Sequence, residues 1–230
     1  MPDLVIVGTG TLARMVASAL RQEGRQLPAA FAVERAHRDR DQWMDAPVVD
    51  LEALLVPGWM GPRRAVVAIG SRELGVPRRR VSEALADAGF ELPAFVSRAA
   101  IVSVDAVVEP GAIVLPGAIV EPGAAVRRGA VLWSGCQLCH DGDLGAWSFV
   151  GPGAVIAGCC TVGPHAFVGA NATLLDHVRI AERCVVGAGA VVSRDMEQPA
   201  VVAAAPPRPV ARTPEDTSAA RGGSRRRGGA

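Results

Sequence analysis

Two adjacent residues, His140 and Asp141, form a pair suited to proton transfer. A neutral imidazole accepts a proton near pH 7, so it can act as the base when an amine or hydroxyl group attacks an activated carbonyl. A neighbouring carboxylate favours the required tautomer and stabilises the imidazolium that forms. A second pair, Asp176 and His177, offers the same groups in the reverse order, and the residues alone rank the two pairs closely.

A six-residue repeat predicts the element that positions these side chains. Every sixth position from Val102 to Val192 is aliphatic, without an insertion. Many repeats continue with Pro-Gly-Ala, as in residues 108–112 and 114–118, where proline fixes φ and glycine tolerates positive φ. This period fits neither a helix nor an alternating strand, and it predicts a hexapeptide β-solenoid. Each aliphatic residue then points inward, each Pro-Gly pair forms a corner, and three corners close a coil.

Both histidine pairs occupy the Pro-Gly positions of their repeats, so we expect the imidazole of His140 to point away from the core. Asp176 and His177 lie two coils later on the same edge, about 10 Å away. His165 also falls at a corner but has no acidic neighbour, and we expect it to be solvated.

The cysteines near these residues invite two other interpretations. Residues 136–140 read C-x-x-C-H, the attachment motif of c-type haem. We reject haem attachment because Leu138 is in the inward register and because we find no export signal. No second C-x-x-C follows, so we predict no metal site. Cys159 and Cys160 are interpreted as small residues at a corner.

The N-terminal residues predict a nucleotide pocket. Residues 4–7 form an apolar strand that leads into the pattern G-x-G-x-x-A at residues 8–13, and a helix follows through Arg21. This order is typical of a Rossmann-like unit, in which phosphate binds at the helix N-terminus. A second strand at residues 29–33 ends at Glu34. A third strand at residues 65–69 ends at a Gly-Ser-Arg turn, and a helix follows at about 76–88. The alternative is that the glycines only make a tight turn.

Composition narrows the class of protein. Half of the 230 residues are hydrophobic and the formal net charge is +1, so we expect no general attraction to nucleic acid or to a membrane. No apolar run reaches the length of a spanning helix, and the first residues lack the basic region of a signal peptide. We therefore expect a cytoplasmic protein whose five cysteines are thiols.

These patterns predict three segments. Residues 1–96 form an α/β Rossmann-like domain, and residues 97–209 form an all-β solenoid with a C-terminal extension. Residues 210–230 form a disordered tail rich in arginine and glycine. The first domain is too short for both halves of a dinucleotide fold, which argues against a nicotinamide dehydrogenase.

A glycine-turn domain, a hexapeptide solenoid and a His-acid pair at a corner together resemble the bacterial sugar acetyltransferases of the sialic-acid O-acetyltransferase type. That family includes N-acetyltransferases for nucleotide-linked 4-amino sugars, and the resemblance covers about residues 3–209. It implies a left-handed parallel β-helix, acetyl-CoA as co-substrate and N-acetylation of a nucleotide-linked amino sugar. Leu12 stands where the family often has a histidine, so O-acetylation stays open. A non-catalytic solenoid that binds nucleotide sugar is the alternative of another class.

The resemblance also implies residue roles. The family order, histidine then acid, favours His140 as the general base and Asp141 as its neighbour. The positions that match the acetyl-CoA groove are Ala157, Gly158, Ala170, Gly187, Ala188 and Arg208. The positions that match the nucleotide-sugar site are Gly8, Thr9, Gly10, Thr11, Glu34, Ser71 and Arg72.

The resemblance further implies a homotrimer in which each active site is shared between two chains. Trp133, Trp147 and Phe149 are large residues close in sequence to His140. Because aromatic residues are enriched in interface cores, we expect these three in the contact between subunits.

Overall fold

The computed structural model describes residues 3–205, so Arg208 and the predicted tail lie outside the described residues. Strands and helices alternate in the N-terminal part: β1 (Val5–Val7), α1 (Thr11–Gln22), β2 (Ala30–Val33), β3 (Gln42–Trp43), β4 (Ala46–Asp50), α2 (Leu51–Leu55), β5 (Ala65–Val67) and α3 (Val76–Asp87). Short 3₁₀ turns follow β2 and β5, at Arg35–His37 and Arg72–Gly75. No helix within residues 3–205 is long and apolar enough to cross a membrane.

A single sheet with the order β3-β4-β2-β1-β5 organises this part. Its pairs are parallel except that β3 runs antiparallel to β4, so the sheet is mixed. The predicted order of strand, glycine turn and helix is present at β1 and α1. β3, β4 and α2 have no counterpart among the predicted elements, because Pro47 interrupts the apolar run of β4 and charged residues precede β3.

The rest of the described chain is a regular series of two-residue strands. They are β6 (Phe95–Val96), β7 (Ile101–Val102), β8 (Val107–Val108), β9 (Ile113–Val114), β10 (Ile119–Val120), β11 (Ala125–Val126), β12 (Val131–Leu132), β13 (Gln137–Leu138), β14 (Asp143–Leu144), β15 (Phe149–Val150), β16 (Val155–Ile156), β17 (Thr161–Val162), β18 (Phe167–Val168), β19 (Thr173–Leu174), β20 (Arg179–Ile180), β21 (Val185–Val186), β22 (Val191–Val192) and β23 (Val201–Val202). Because β6 already pairs with β9, the solenoid pairing begins just before the predicted division at residues 96 and 97, which stays a prediction.

These strands stack into three parallel sheets, the faces of a triangular prism. Face 1 contains β7, β10, β13, β16, β19 and β22, face 2 contains β8, β11, β14, β17 and β20, and face 3 contains β6, β9, β12, β15, β18, β21 and β23. Ile119 pairs with Ile101 and with Gln137, so one coil takes 18 residues. The inward aliphatic residues from Val114 to Val192 are buried in one core, which confirms the predicted register.

The corners adopt a repeated backbone conformation. Every sixth residue from 111 to 189 has positive φ, the left-handed conformation that glycine adopts most easily. Side chains occupy half of these positions, at Asp141, Trp147, Cys159, His165, Asn171, His177 and Arg183. Most residues other than glycine cost about 1–2 kcal/mol there. Asp, Asn and His adopt this conformation more readily than other types, so backbone preference fails to explain only Trp147, Cys159 and Arg183.

The N-terminal part packs on face 3 of the prism. Outward residues of that face, such as Val131 and Phe149, share a buried cluster with Ile6 and Leu12. This packing fixes where the N-terminal sheet lies relative to the solenoid corners.

The packing corrects the prediction for two of the three aromatic residues. Trp147 and Phe149 are only 8% and 9% exposed in a single chain, and Trp133 contacts the same cluster. The rings of Trp133 and Phe149 lie 5.6 Å apart between centroids. Phe149 lies between the two parts of one chain, because the N-terminal part covers face 3, and the ring of Trp147 packs over Gly129. These two buried side chains are therefore not a free surface for another subunit, whereas Trp133 is half-buried.

Arg78 on α3 bridges the two parts of the chain. The side chain is buried, and its guanidinium donates only to backbone carbonyl oxygens: Ile69 (3.0 Å), Gly70 (2.8 Å), Gly129 (2.9 Å), Trp147 (2.7 Å) and Ser148 (3.2 Å). Burial lowers the pKa of Arg78 to about 10, so the side chain is still a cation at neutral pH. The loop after β5 is thereby tied to the corner between faces 2 and 3.

The prediction that His165 is solvated is wrong. His165 is 5% exposed, and its Nδ1 lies 2.9 Å from the carbonyl oxygen of Leu74. The 3₁₀ turn at Arg72–Gly75 covers this corner, and a repeat within the solenoid cannot reveal a cover that comes from another part of the chain.

Candidate functional site

A cavity of about 940 Å³ opens at the carboxyl ends of β1, β2 and β5. All seven residues predicted for the nucleotide-sugar site line it, namely Gly8, Thr9, Gly10, Thr11, Glu34, Ser71 and Arg72. Trp133 and Phe149 of the solenoid line it as well. The cavity therefore has a polar side at the strand ends and an aromatic side at face 3.

The two glycines at the start of α1 have different roles. Gly8 has a φ of 117°, and a Cβ atom there would lie 2.8 Å from the carbonyl oxygen of Ala68, so the fold itself requires glycine. Gly10 has a φ of −83°, and a Cβ atom there would meet nothing within 4 Å. Glycine is a common N-cap residue, but no steric contact requires it at Gly10, and its missing side chain leaves room for a ligand at the amino end of α1.

Charged side chains lie together at the edge of the cavity around Glu34. Glu34 accepts from Arg80 Nη2 at 2.5 Å, and its other oxygen lies 3.3 Å from Nδ1 of His37. Arg80 and His37 also line the cavity, although neither was predicted from the sequence. The run of three arginines at the start of α3 was the available signal. These groups can bind phosphate and hydroxyl oxygens of a ligand.

His140 lies exposed at the corner between faces 1 and 2, as predicted, with 57% of its side chain exposed. Its Nδ1 is 3.1 Å from Asp141 Oδ2, and its backbone N–H donates to Glu121 at 2.9 Å. The ring lies over Gly158 in the next coil, where any side chain would collide with Nε2. With Nδ1 beside the carboxylate, Nε2 is the nitrogen left to exchange a proton.

The second pair has a different arrangement. Asp176 accepts a hydrogen bond from the backbone N–H of Gly158 at 2.9 Å. Among the hydrogen bonds of residues 3–205, none joins Asp176 to the imidazole of His177, although both residues are exposed on the same edge as His140. Only the first pair therefore has the contact that orients an imidazole.

The residues predicted for the acetyl-CoA groove fall on two corners. Ala157 and Gly158 share the corner of His140. Ala170, Gly187 and Ala188 lie on the corner between faces 3 and 1, where Gly189 N donates to Ala170 O at 2.8 Å. Gly158 is buried beneath the ring of His140, whereas the other four residues are half-buried or exposed.

The cavity and His140 lie on opposite sides of one chain. The cavity is built on face 3, whereas His140 occupies the corner that joins the other two faces. A ligand in the cavity therefore cannot reach His140 of the same chain without passing round the prism.

Comparison with known proteins identifies the class of the chain. The bacterial transferase hexapeptide family (six repeats) matches residues 159–194. The solved structure of PerB from Caulobacter crescentus, in complex with CoA and GDP-perosamine, is 30% identical, with a TM-score of 0.80. That match covers 89% of this chain and 95% of PerB. No curated protein matched the sequence.

Two further solved structures share the fold. The acetyltransferase domain of PglB from Neisseria gonorrhoeae FA1090, in complex with acetyl coenzyme A, is 24% identical over 91% of this chain and 100% of its own, with a TM-score of 0.79. WeeI from Acinetobacter baumannii AYE is 18% identical over 89% of this chain and 97% of its own, with a TM-score of 0.77. The repeat and the three parallel sheets agree with a left-handed β-helix. The chain belongs to the bacterial hexapeptide-repeat transferases and is an acyltransferase.

Proposed function

We propose that this protein transfers the acetyl group of acetyl-CoA to the amino group of a nucleotide-linked sugar. The observation that carries the proposal is the presence, in one chain, of a cavity at the amino end of α1 and an oriented His-Asp pair on a hexapeptide corner. The similarity to PerB, whose structure contains both CoA and GDP-perosamine, supports it over both parts of the chain. Membership of the sialic-acid O-acetyltransferase type belongs to the same proposal.

In this mechanism His140 is the general base. The thioester of acetyl-CoA supplies an acyl carbon that is already activated, so no covalent acyl-enzyme is needed. His140 Nε2 accepts the proton of the attacking amine, and the imidazolium returns it to the departing thiolate of CoA. Asp141 holds Nδ1 and stabilises the imidazolium, and a backbone N–H group at the corner donates to the oxyanion.

The small residues at the two corners leave space for the narrow arm of acetyl-CoA that carries the acetyl group. Ala157 and Ala170 are half-buried and Ala188 is exposed, so their small side chains leave room for a ligand on both edges of face 1. We assign these residues, together with Gly158 and Gly187, to the acetyl-CoA groove. We also place the protein in the cytoplasm, a reducing compartment in which cysteines stay as thiols.

Separation of the cavity from His140 supports a site shared between chains. A neighbouring chain around a three-fold axis can present its His140 to the cavity, and a cyclic arrangement of this kind closes. Face 1 offers an apolar surface for the contact. Its outward row includes Ile119, Val155, Ile101 and Val191, the last two each 66% exposed.

We therefore expect a homotrimer with a mass about three times the 23.8 kDa chain mass, in the absence of ligand. Multi-angle light scattering measures this mass. Ile119→Arg on face 1 should lower both the mass and the activity, whereas Thr161→Arg on face 2 should change neither. A fully active monomer would contradict both the trimer and the shared site.

Gly10→Val should raise KM for the nucleotide sugar by at least about tenfold, because the new side chain fills the approach to the amino end of α1. Affinity for acetyl-CoA and the melting temperature should stay near wild type, since a Cβ atom at Gly10 meets no other atom within 4 Å. Steady-state kinetics and calorimetry measure these quantities. Gly8→Val is the matched control, and it should destabilise the fold. A loss of acetyl-CoA binding in Gly10→Val would reverse the ligand assignment.

Mass spectrometry of the product tests the reaction itself. The protein is incubated with acetyl-CoA and a panel of nucleotide sugars, with and without an amino group. We expect a gain of one acetyl group only on amino sugars, in a product that resists hydroxylamine because it is an amide. A product cleaved by hydroxylamine would be an ester and would establish O-acetylation instead.

A further inference from the structure

Cys159 lies beside the pair formed by His140 and Asp141, although it follows this pair in sequence by a whole coil. It occupies the corner one coil after Asp141, and its backbone N–H donates to the carbonyl oxygen of His140 at 2.9 Å. Ligand atoms of His140, Asp141 and Cys159 all lie within 4.8 Å of one another. One nitrogen, one oxygen and one sulfur atom therefore converge at an accessible corner.

The other cysteines near this corner are poorly placed to act as ligands. Cys136 and Cys160 are fully buried, and burial raises the pKa of the Cys136 thiol to about 12. Cys160 Sγ donates to the carbonyl oxygen of Leu175 at 3.0 Å. Burial also raises the pKa of the Cys139 thiol. Cys159 is thus the thiol that faces His140.

The three groups match the preferences of a soft divalent cation. Zinc takes imidazole nitrogen, thiolate sulfur and carboxylate oxygen in a tetrahedral site, with ligand atoms about 3.5 Å apart. His140 Nδ1 and Asp141 Oδ2 are already 3.1 Å apart. Their side chains are 57% and 67% exposed, so they can turn toward Cys159 by the remaining ångström or so without disturbing the core.

We propose that His140, Asp141 and Cys159 bind one soft divalent cation of the zinc class, with the fourth position left to water. Binding displaces the thiol proton of Cys159 to solvent, because the thiolate is the ligand. The bound cation occupies the imidazole and thereby inhibits acetyl transfer. The inhibition rests on the proposed function, whereas the binding does not.

Cadmium titration of the purified full-length protein tests the binding. Cd²⁺ should give a thiolate-to-metal absorption band in the ultraviolet with one ion per chain. Cys159→Ser should abolish the band and raise the Kd for Cd²⁺ by at least about tenfold. Cys139→Ser and His177→Ala are matched controls on the same edge and should retain both. An unchanged band in Cys159→Ser, or loss of the band in Cys139→Ser, would overturn the site.

Two further measurements test the site, and the first of them does not depend on that variant folding. Cd²⁺ should protect Cys159 of the wild-type protein from alkylation by iodoacetamide, as located by peptide mass spectrometry; equal alkylation with and without the ion would contradict the site. Zn²⁺ should inhibit wild-type acetyl transfer at concentrations at least about tenfold lower than those needed for Cys159→Ser. Full activity of a Cd²⁺-loaded protein would contradict the proposed inhibition but not the proposed metal site.

Discussion

Replacing His140 with alanine should lower kcat for acetyl transfer by at least about a hundredfold, the scale of lost general-base catalysis. The fold should survive, because the side chain is 57% exposed and the hydrogen bonds of residue 140 to neighbouring coils use backbone atoms. Affinity for acetyl-CoA and the oligomeric mass should therefore stay near wild type. Single-turnover kinetics with a saturating amino sugar measure the effect without interference from product release.

His177→Ala is the matched control for this prediction. It removes an exposed imidazole from the same edge, two coils away, and it should leave kcat within about twofold of wild type because Asp176 is bonded to the Gly158 backbone instead. If His140→Ala turned over normally and His177→Ala did not, the base would be His177.

Arg78→Met should lower the free energy of unfolding by at least about 3 kcal/mol. The variant removes the charged donor from five carbonyl oxygens. The carbonyl oxygens of Gly129 and Trp147 are buried, so water does not replace the lost guanidinium there. Because two more of the acceptors, Ile69 and Gly70, precede the cavity residue Ser71, the KM for the nucleotide sugar should also rise. Chemical denaturation and steady-state kinetics measure the two effects.

Arg79→Met is the control for the loss of an arginine from the same helix. Arg79 makes an exposed pair with Glu83 at 2.8 Å, so its loss should change stability by no more than about 0.5 kcal/mol. Arg78→Lys keeps the charge but not the forked set of N–H donors. Its free energy of unfolding should lie between those of wild type and Arg78→Met. Equal stability of the two methionine variants would show that the carbonyl contacts of Arg78 do not hold the two parts together.

The sequence by itself determined the solenoid and the exposure of its corner residues. A strict six-residue period is local information, since the inward position of Leu138 forces the side chain of His140 outward. The glycine turn at α1 was also predictable, because a tight turn between a buried strand and a helix has few sequence solutions. All seven residues predicted for the nucleotide-sugar site line one cavity, because they follow the carboxyl ends of the neighbouring parallel strands β1, β2 and β5.

Only the tertiary structure decided how the faces and corners are used. The period cannot say which face the N-terminal part covers, so it misplaced Trp147, Phe149 and His165, all buried within one chain. Nor can it show that Cys159 meets His140, because that contact depends on stacking of successive coils. The cavity and the base lie on opposite sides of one chain for a similar reason: the N-terminal part docks on face 3 through long-range apolar contacts that no local pattern encodes.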